Sequence, residues 1–566
     1  RRAPQWCEVR TLVACPLQPP DTPNRLVLVQ EIRIGFGQIN PVVGDFAHNS
    51  KQILQIMNDA AGKVDLLIFG ELALCGYPLG DLSYRADIIS ATQEALEQLV
   101  AKSSDSKLAS LTVVLGHVSA SATHSEKQSS YASAHNSATV FASGEVIGRY
   151  DKIYLPNYDV FDDWRNFVPG SNELFFELKG QRVAVAICED IWHPEAPQRV
   201  ELAAAGIDLL VVPNGSPYTR DIQSRRRMAA SSYQDGFAIA YANLAGGQDE
   251  LVFDGDSFLM NKDGQELFRA GMGPGLFIGE TNELEPVLDD EPQRLYEVLV
   301  TGLRDYCSKT GQDKVLLGFS GGIDSSLTAA IAVDALGPEA VLGVGLPSRY
   351  SSDHSLADAQ QLAKNLGCEF RVVPIDEAHV AFEEMVELSG LAGENVQARI
   401  RAVTLMAISN SEARLLLTTG NKSEIAVGYS TMYGDSAGGF APIKDVLKTD
   451  VWRLARWLNA SRGQELIPIS SIEKPPSAEL SPGQLDSDSL PDYKLLDDIL
   501  RLLIEKTATV DEVVALGFER ELVSEVDGKV RAAEWKRSQG AIGTKTTAVA
   551  FGSGRRVPIT TRFGKL

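Results

Sequence analysis

Cysteine is scarce in this chain, with six in 566 residues. That is too few for the disulfide framework of a small secreted scaffold. Long hydrophobic runs are missing too: no stretch approaches the roughly 20 apolar residues that a membrane span requires. Positive charge is in deficit, since 53 Lys and Arg stand against 75 Asp and Glu, a formal net charge of −22. So acidic a chain has no broad surface for neutralising nucleic-acid phosphates, which leaves room only for a local basic pocket. What is present is 44% hydrophobic and 23% charged residues. That is the profile of a globular chain with apolar material for more than one core.

Residues 1–30 are rich in Pro and Arg and lack an apolar core followed by a small-residue cleavage site. They do not read as a signal peptide, and we expect a disordered extension. From residue 31 onward, short apolar runs recur at 64–71, 111–118, 182–190, 208–216 and 236–244, most of them flanked by helix-like stretches. This alternation predicts a layered α/β domain over 31–278. Ser-Gly at the centre of SATVFASGEVIGRY predicts a hairpin. The acidic stretch at 279–293 carries two prolines and is expected to be a linker. A second series, VLLGFSGGIDSS, AVLGVGLPS, EFRVVPID and EARLLLTTGNKSE, predicts a doubly wound parallel sheet within 294–566. The Pro/Ser-rich stretch 473–492 reads as a long loop in this second domain, and loops of that length are often functional.

Three residues at strand ends have the chemistry for acyl transfer. Cys188 closes RVAVAI, Glu71 closes VDLLIFGE, and Lys152 follows VIGRYD. A thiol becomes a nucleophile when its proton is removed, so Glu71 could serve as base and Lys152 could stabilise a developing oxyanion. From residue type alone, Cys188 reads equally as a small buried hydrophobe, Glu71 as a helix cap and Lys152 as a solvated charge. The surrounding strings GELALCGYPLGDL, RYDKIYLPNYDVFDD and VAICEDIWHP resemble the glutaminase domains of the nitrilase (carbon–nitrogen hydrolase) superfamily. That resemblance implies an α-β-β-α sandwich, with Glu71 as general base, Lys152 as oxyanion-stabilising residue and Cys188 as the nucleophile that forms a glutamyl thioester. Tyr158 and Ser216 match positions that hold glutamine. A basic residue usual six positions after that serine is replaced here by Ile222, with Arg220 and Arg225 nearby.

GFSGGIDSS follows a buried strand and opens a helix, as a phosphate-cradling loop should. A Walker loop would carry Lys after its last glycine; here Ile323-Asp324 stands instead. Asp324 beside a phosphate site suits Mg²⁺, which prefers carboxylates shared with phosphate oxygens. Read without context, the loop fits a capped strand–helix turn equally well. SGGIDSS resembles the ATP pyrophosphatase signature. With LPSRYSSDHS, ENVQARIRAVTLMAISN, LTTGNKSEIAVGYSTMYGD, APIKDVLKTDVW, PPSAELSPGQLDSDSLPDY and KRSQ it resembles a NAD synthetase domain. Together the two halves resemble the glutamine-dependent NAD⁺ synthetases.

That family resemblance implies that Gly318, Phe319, Ser320, Gly321, Gly322, Ile323, Asp324 and Ser325 hold ATP, with Thr419 and Lys448. It places Asp324 and Glu424 on Mg²⁺, and Asn395, Arg399, Glu424 and Lys536 at a deamido-NAD site. Met432 and Gly439 stand where the shorter ammonia-using enzymes have Lys and Asp. The resemblance further implies a buried ammonia channel, a cytoplasmic homo-oligomer paired through the synthetase halves, and small-molecule substrates with no nucleic-acid or membrane partner. A different adenylated acceptor, or a decayed nucleotide-binding scaffold, are the competing readings.

Overall fold

The structure, a computed structural model, describes residues 28–29, 32–121, 133–278, 287, 291–388 and 390–562. The expectation for residues 1–30 therefore lies outside the described residues, apart from Leu28–Val29, which pair antiparallel with Ile32–Arg33. Most of the expected linker lies outside them as well. No helix among the described residues is long and apolar enough to cross a membrane.

In the first half, two sheets lie face to face. In one, Ile32–Gln38, Leu66–Phe69 and Thr112–Ala120 run parallel, and the hairpin Ala134–Ala142/Glu145–Asp151 extends the edge. In the other, Gln181–Val185, Leu209–Asn214 and Ala238–Asn243 run parallel at the centre. The predicted hairpin turns at Ser143-Gly144, both in left-handed backbone, the geometry that matches strand twist. Phe36, Ile68, Val114, Val185 and Val211 fill the space between the sheets. Helices Phe46–Ala60 and Ala86–Lys102 cover the first sheet, and Pro197–Ala204 and Ile222–Tyr233 cover the second. The result is the α-β-β-α sandwich.

The second half is built on a four-stranded parallel sheet in the order Glu369–Val372, Val341–Gly345, Val315–Gly318, Leu415–Leu416. The strand order reverses beside Val315–Gly318, and such a switch point opens a crevice at the carboxyl ends of the strands. The SGGIDSS loop leaves the sheet there. Its helix begins at Ile323, earlier than the apolar run LTAAIAVDALG suggests. Ser325 and Ser326 hydroxyls donate back to the Gly322 carbonyl, and this brings Asp324 into the first helical turn.

The two halves share one core. Tyr218, Ile222 and Val252 from the first pack with Leu295, Leu299 and Leu303 of the helix Pro292–Thr310 from the second. Asp305 of that helix accepts from Asn40 Nδ2 at 2.8 Å and from the Gly247 amide at 2.6 Å. Lys309 donates to the carbonyls of Pro41 and Gly247 at 2.7 Å each.

Gly116 sets how closely the Glu71 turn packs on the sheet. A Cβ there would collide with the Gly70 carbonyl and press on the Leu72 amide. Gly116→Ala should therefore cost about 1–3 kcal/mol through overpacking, seen as a lower calorimetric Tm. An unchanged Tm would show that the turn has slack.

Candidate active sites

Three segments bring the first site together at the carboxyl ends of strands, two of them interior to their sheets and one at an edge. Glu71 follows Leu66–Phe69, Lys152 follows Glu145–Asp151, and Cys188 follows Gln181–Val185; all three are buried. The Lys152 ammonium donates to Glu71 Oε1 at 2.6 Å and to Asp163 Oδ2 at 2.7 Å. Glu71 also accepts from Asn136 Nδ2 at 2.7 Å and from the Gly215 amide at 2.9 Å. Tyr77 steadies Asp163 through a 3.1 Å hydrogen bond. Burial works against a charge on Lys152, yet Asp163 and Glu71 together hold its pKa well above the ordinary lysine value.

Cys188 occupies left-handed backbone, φ 44°, a conformation that non-glycine residues rarely adopt. Asp190 ties down the turn. Its carboxylate accepts from the Ile187 amide at 2.7 Å, the Tyr154 amide at 2.8 Å and the Tyr150 hydroxyl at 2.8 Å. One buried side chain thus links the cysteine turn to the segment that carries Lys152. Burial, and then the Glu71 charge, push the Cys188 thiol well above the usual range, against the pull of Lys152 and the Gly215 amide.

The expected glutamine contacts flank this centre. Tyr158 is half-exposed, and its hydroxyl donates to Glu189 Oε2 at 2.8 Å. Ser216 is buried next to Gly215, and its hydroxyl and carbonyl accept from the fully buried Arg226 at 3.1 and 2.7 Å. Ile222 is buried, and Arg220 pairs with Asp450 of the second half at 2.6 Å. Arg225 is partly exposed and stacks over Trp192, its guanidinium 5.5 Å from the ring centre. Sequence reasoning missed Asp163, Asn136 and Arg226. The one signal for Asp163 was its place in YDVFDD, where three aspartates compete.

The second site is a cleft of about 300 Å³ at the switch point. Gly318, Phe319, Ser320, Gly322, Ile323, Asp324, Thr419, Glu424 and Lys448 line it. Gly321 has a φ of 75°, and a side chain there would collide with the Ser355 carbonyl. Ser325 stands behind the loop, 3.0 Å from the Ser320 hydroxyl. The buried Lys448 ammonium donates to Asp324 Oδ2 at 2.5 Å and to Glu424 Oε1 at 3.1 Å. Asn421 Nδ2 donates to the other Asp324 oxygen at 2.8 Å. Burial raises the Glu424 carboxyl to about 7, with Lys448 pulling it down and Asp324 pushing it up.

Among the described residues no three His, Cys, Asp or Glu side chains cluster as a ready-made metal cage. Two carboxylates that converge beside a phosphate loop instead fit a magnesium ion completed by phosphate oxygens and water. The long loop forms part of the wall, contributing Lys474, Ser477, Glu479 and Asp486. Lys474 and Glu479 are hydrogen-bonded to Ser355. Both lie in the loop 473–492, and Glu479 lies in the string PPSAELSPGQLDSDSLPDY, but neither was assigned a role from sequence.

Asn395, Arg399 and Lys536 gather around the turn 428–435, whose Tyr429, Gly434 and Asp435 line the same cleft. Asn395 Oδ1 accepts from Thr431 at 2.7 Å, Arg399 donates to the Met432 carbonyl at 3.2 Å, and Lys536 donates to the Gly428 and Ser430 carbonyls. Glu424 stays with Lys448 in the cleft. Met432 is buried, and a Cβ on Gly439 would collide with Leu415.

Replacing Glu71 by Gln removes a charge that disfavours the thiolate and leaves the burial in place. The pH profile of Cys188 alkylation by iodoacetamide, followed by peptide mapping, should move to lower pH by about one unit. An unmoved profile would mean that Glu71 does not act on the sulfur.

Comparison with known proteins matches two family models in tandem. Residues 33–282 match carbon–nitrogen hydrolase, and residues 295–540 match NAD synthase. The chain is 40% identical to a glutamine-dependent NAD(+) synthetase of Thermotoga maritima and 41% identical to one of Synechocystis sp. Each alignment covers 94% of this chain and 99% of the relative. The fold is similar to that of a glutamine-dependent NAD⁺ synthetase from Acinetobacter baumannii solved with ADP. That comparison has a TM-score of 0.72 and 36% identity, and covers 93% of this chain and 98% of the other. A Cytophaga hutchinsonii synthetase has a TM-score of 0.78 at 23% identity, covering 94% and 98%, and supports the fold alone. A thiol centre and a phosphate cleft in tandem, with relatives matched almost end to end, lead to one conclusion: the chain belongs to the glutamine-dependent NAD⁺ synthetases.

Proposed function

We propose that the chain converts deamido-NAD, ATP, glutamine and water into NAD, AMP, diphosphate and glutamate, with ammonia passing from the first site to the second. The observation that carries this reading is the presence of both sites in one chain: a buried Cys188–Glu71–Lys152 centre and an ATP-shaped cleft around Asp324.

At the first site Glu71 takes the Cys188 proton as sulfur attacks the side-chain carboxamide carbon of glutamine. Lys152 stabilises the oxyanion. The carbon–nitrogen bond then breaks, and the proton held on Glu71 leaves with the nitrogen as ammonia. Water, deprotonated by Glu71, attacks the thioester carbon; the carbon–sulfur bond breaks, glutamate leaves, and the Cys188 thiolate takes back the proton from Glu71. Tyr158 and Ser216 seat the amino acid. Arg225, partly exposed beside Trp192, is our assignment for its carboxylate.

In the cleft, the loop Gly318–Ser325 with Thr419 and Lys448 binds ATP. Asp324 and Glu424 would hold Mg²⁺, which when bound neutralises phosphate charge. The nicotinate carboxylate of deamido-NAD, held by Asn395, Arg399 and Lys536, attacks the α-phosphorus and expels pyrophosphate. Ammonia then displaces AMP from the mixed anhydride. Ammonia must stay unprotonated to react, which favours an interior route across the shared core. A homo-oligomer paired through the second halves accounts for the exposed apolar Met385, Leu391, Val403 and Met406 on neighbouring helices. The cytoplasm, where such metabolites lie, is the compartment we assign.

Cys188→Ala should lower glutamine-supported NAD formation by at least about 10³-fold and leave formation from added ammonia nearly intact. Loss of both would refute the assignment of the nucleophile. Asp324→Ala should abolish NAD formation from either donor and spare part of the glutamate release. Undiminished NAD output would refute the cation and ATP role.

A further inference from the structure

The loop 154–163 serves the thiol centre twice, with Tyr158 reaching Glu189 and Asp163 accepting from Lys152. Between these two residues the loop is held from the far end of the chain. Lys545 Nζ lies 3.0 Å from Asp159 Oδ2, and the Lys545 side chain is only 1% exposed. The same ammonium donates to the carbonyls of Thr547 at 2.8 Å and Ala548 at 3.3 Å, so it is fully engaged.

Asp159 sits in left-handed backbone, φ 52°. Asp is among the few non-glycine residues that adopt this conformation with any frequency. Its second oxygen, Oδ1, is buried with no hydrogen-bond partner. Lys545 is thus the counter-charge of a residue in left-handed backbone adjacent to Tyr158. The nearby Arg556–Asp162 pair is exposed and longer, at 3.3 Å, and contributes little.

The segment around Lys545 is anchored to both halves. Its amide donates to the Glu250 carbonyl at 2.8 Å. The Thr546 and Thr547 amides both donate to Asp445 Oδ2 at 2.7 Å. Asp445 pairs with the buried Lys422 at 2.9 Å. Lys422 adjoins Asn421, which holds Asp324 in the ATP cleft.

Building on the glutaminase reading above, we propose that Lys545, supplied by the ATP-binding half, is a positioning residue for glutamine hydrolysis. It fixes Asp159 and thereby sets the Tyr158 side of the glutamine pocket. The thiol centre is then incomplete without the C-terminal end of the chain, 357 residues beyond Cys188 (545 minus 188).

The test uses the full-length chain and compares Lys545→Met, Asp159→Asn and the double variant. Glutamate release is followed against glutamine concentration, and NAD formation is followed with added ammonia. Each single variant should raise KM for glutamine roughly ten-fold through misplacement, with kcat changed less than two-fold and ammonia-supported synthesis unchanged. The double variant should be no worse than either single one, because both remove one interaction. Additive losses, an unchanged KM, or an equal loss of ammonia-supported synthesis would overturn the proposal. If Lys545→Met fails to fold, Asp159→Asn carries the same test from the more exposed partner. A wild-type chain that releases no glutamate would sink the glutaminase reading itself, whereas unchanged KM values in an active background would sink only the role of Lys545.

Discussion

An ammonium sealed from water between two carboxylates governs the thiol centre. Lys152 is 1% exposed and meets Glu71 and Asp163 at 2.6 and 2.7 Å. Charges so deeply buried must be compensated within the protein, and removing one partner from such a group typically costs about 3–5 kcal/mol. Burial, and then the Glu71 charge, push the Cys188 thiol up, so the carboxylate that holds the ammonium also acts on the sulfur. In the chemistry proposed above the lysine has a different task in each stage, first holding Glu71 in place and then stabilising the oxygen that becomes negative.

The same device recurs in the ATP cleft with a different consequence. Lys448 lies between Asp324 and Glu424, again one cation to two carboxylates. Here the two carboxylates line the cleft beside the SGGIDSS loop, and burial raises Glu424 to about 7. Bound magnesium would add the positive charge that suits phosphates there. Lys422, between Asp445 and Glu505, repeats the arrangement at the joint between the cleft and the C-terminal segment. Part of the net charge of −22 is therefore interior, and its excess lies where protons, cations or contacts between the halves are handled.

The sequence made strands legible, and with them the residues at strand ends. Strand ends offered Glu71, Lys152 and Cys188 as candidates, and the family strings around them singled the three out. The SGGIDSS loop was legible for the same reason, although its helix starts at Ile323, earlier than the hydrophobic run. Asp163 was not legible. It lies in a loop beside Asp159 and Asp162, and only the fold separates the one that reaches Lys152 from the ones that reach Lys545 and Arg556. Arg226 was hidden differently: it adjoins Arg225 and Arg227 on one helix, and burial alone assigns it to Ser216 and Asp254. Local pattern reports where an element lies, whereas a charge's partner is set by contacts across hundreds of residues.

This distinction bears on why the two activities occupy one chain. A freely diffusing ammonia molecule would be protonated in water and lost as a nucleophile, so the first site is useful only when joined to the second without intervening solvent. A hinged linkage would not ensure that. The halves instead share a hydrophobic core through Tyr218, Val252 and the helix Pro292–Thr310, and Asp305 and Lys309 satisfy backbone groups across the seam. Separating them would expose apolar surface and strand buried polar groups together. The seam is therefore as costly to open as a domain interior, and a fixed relation between the sites follows from ordinary core packing, with no need for a dedicated clamp.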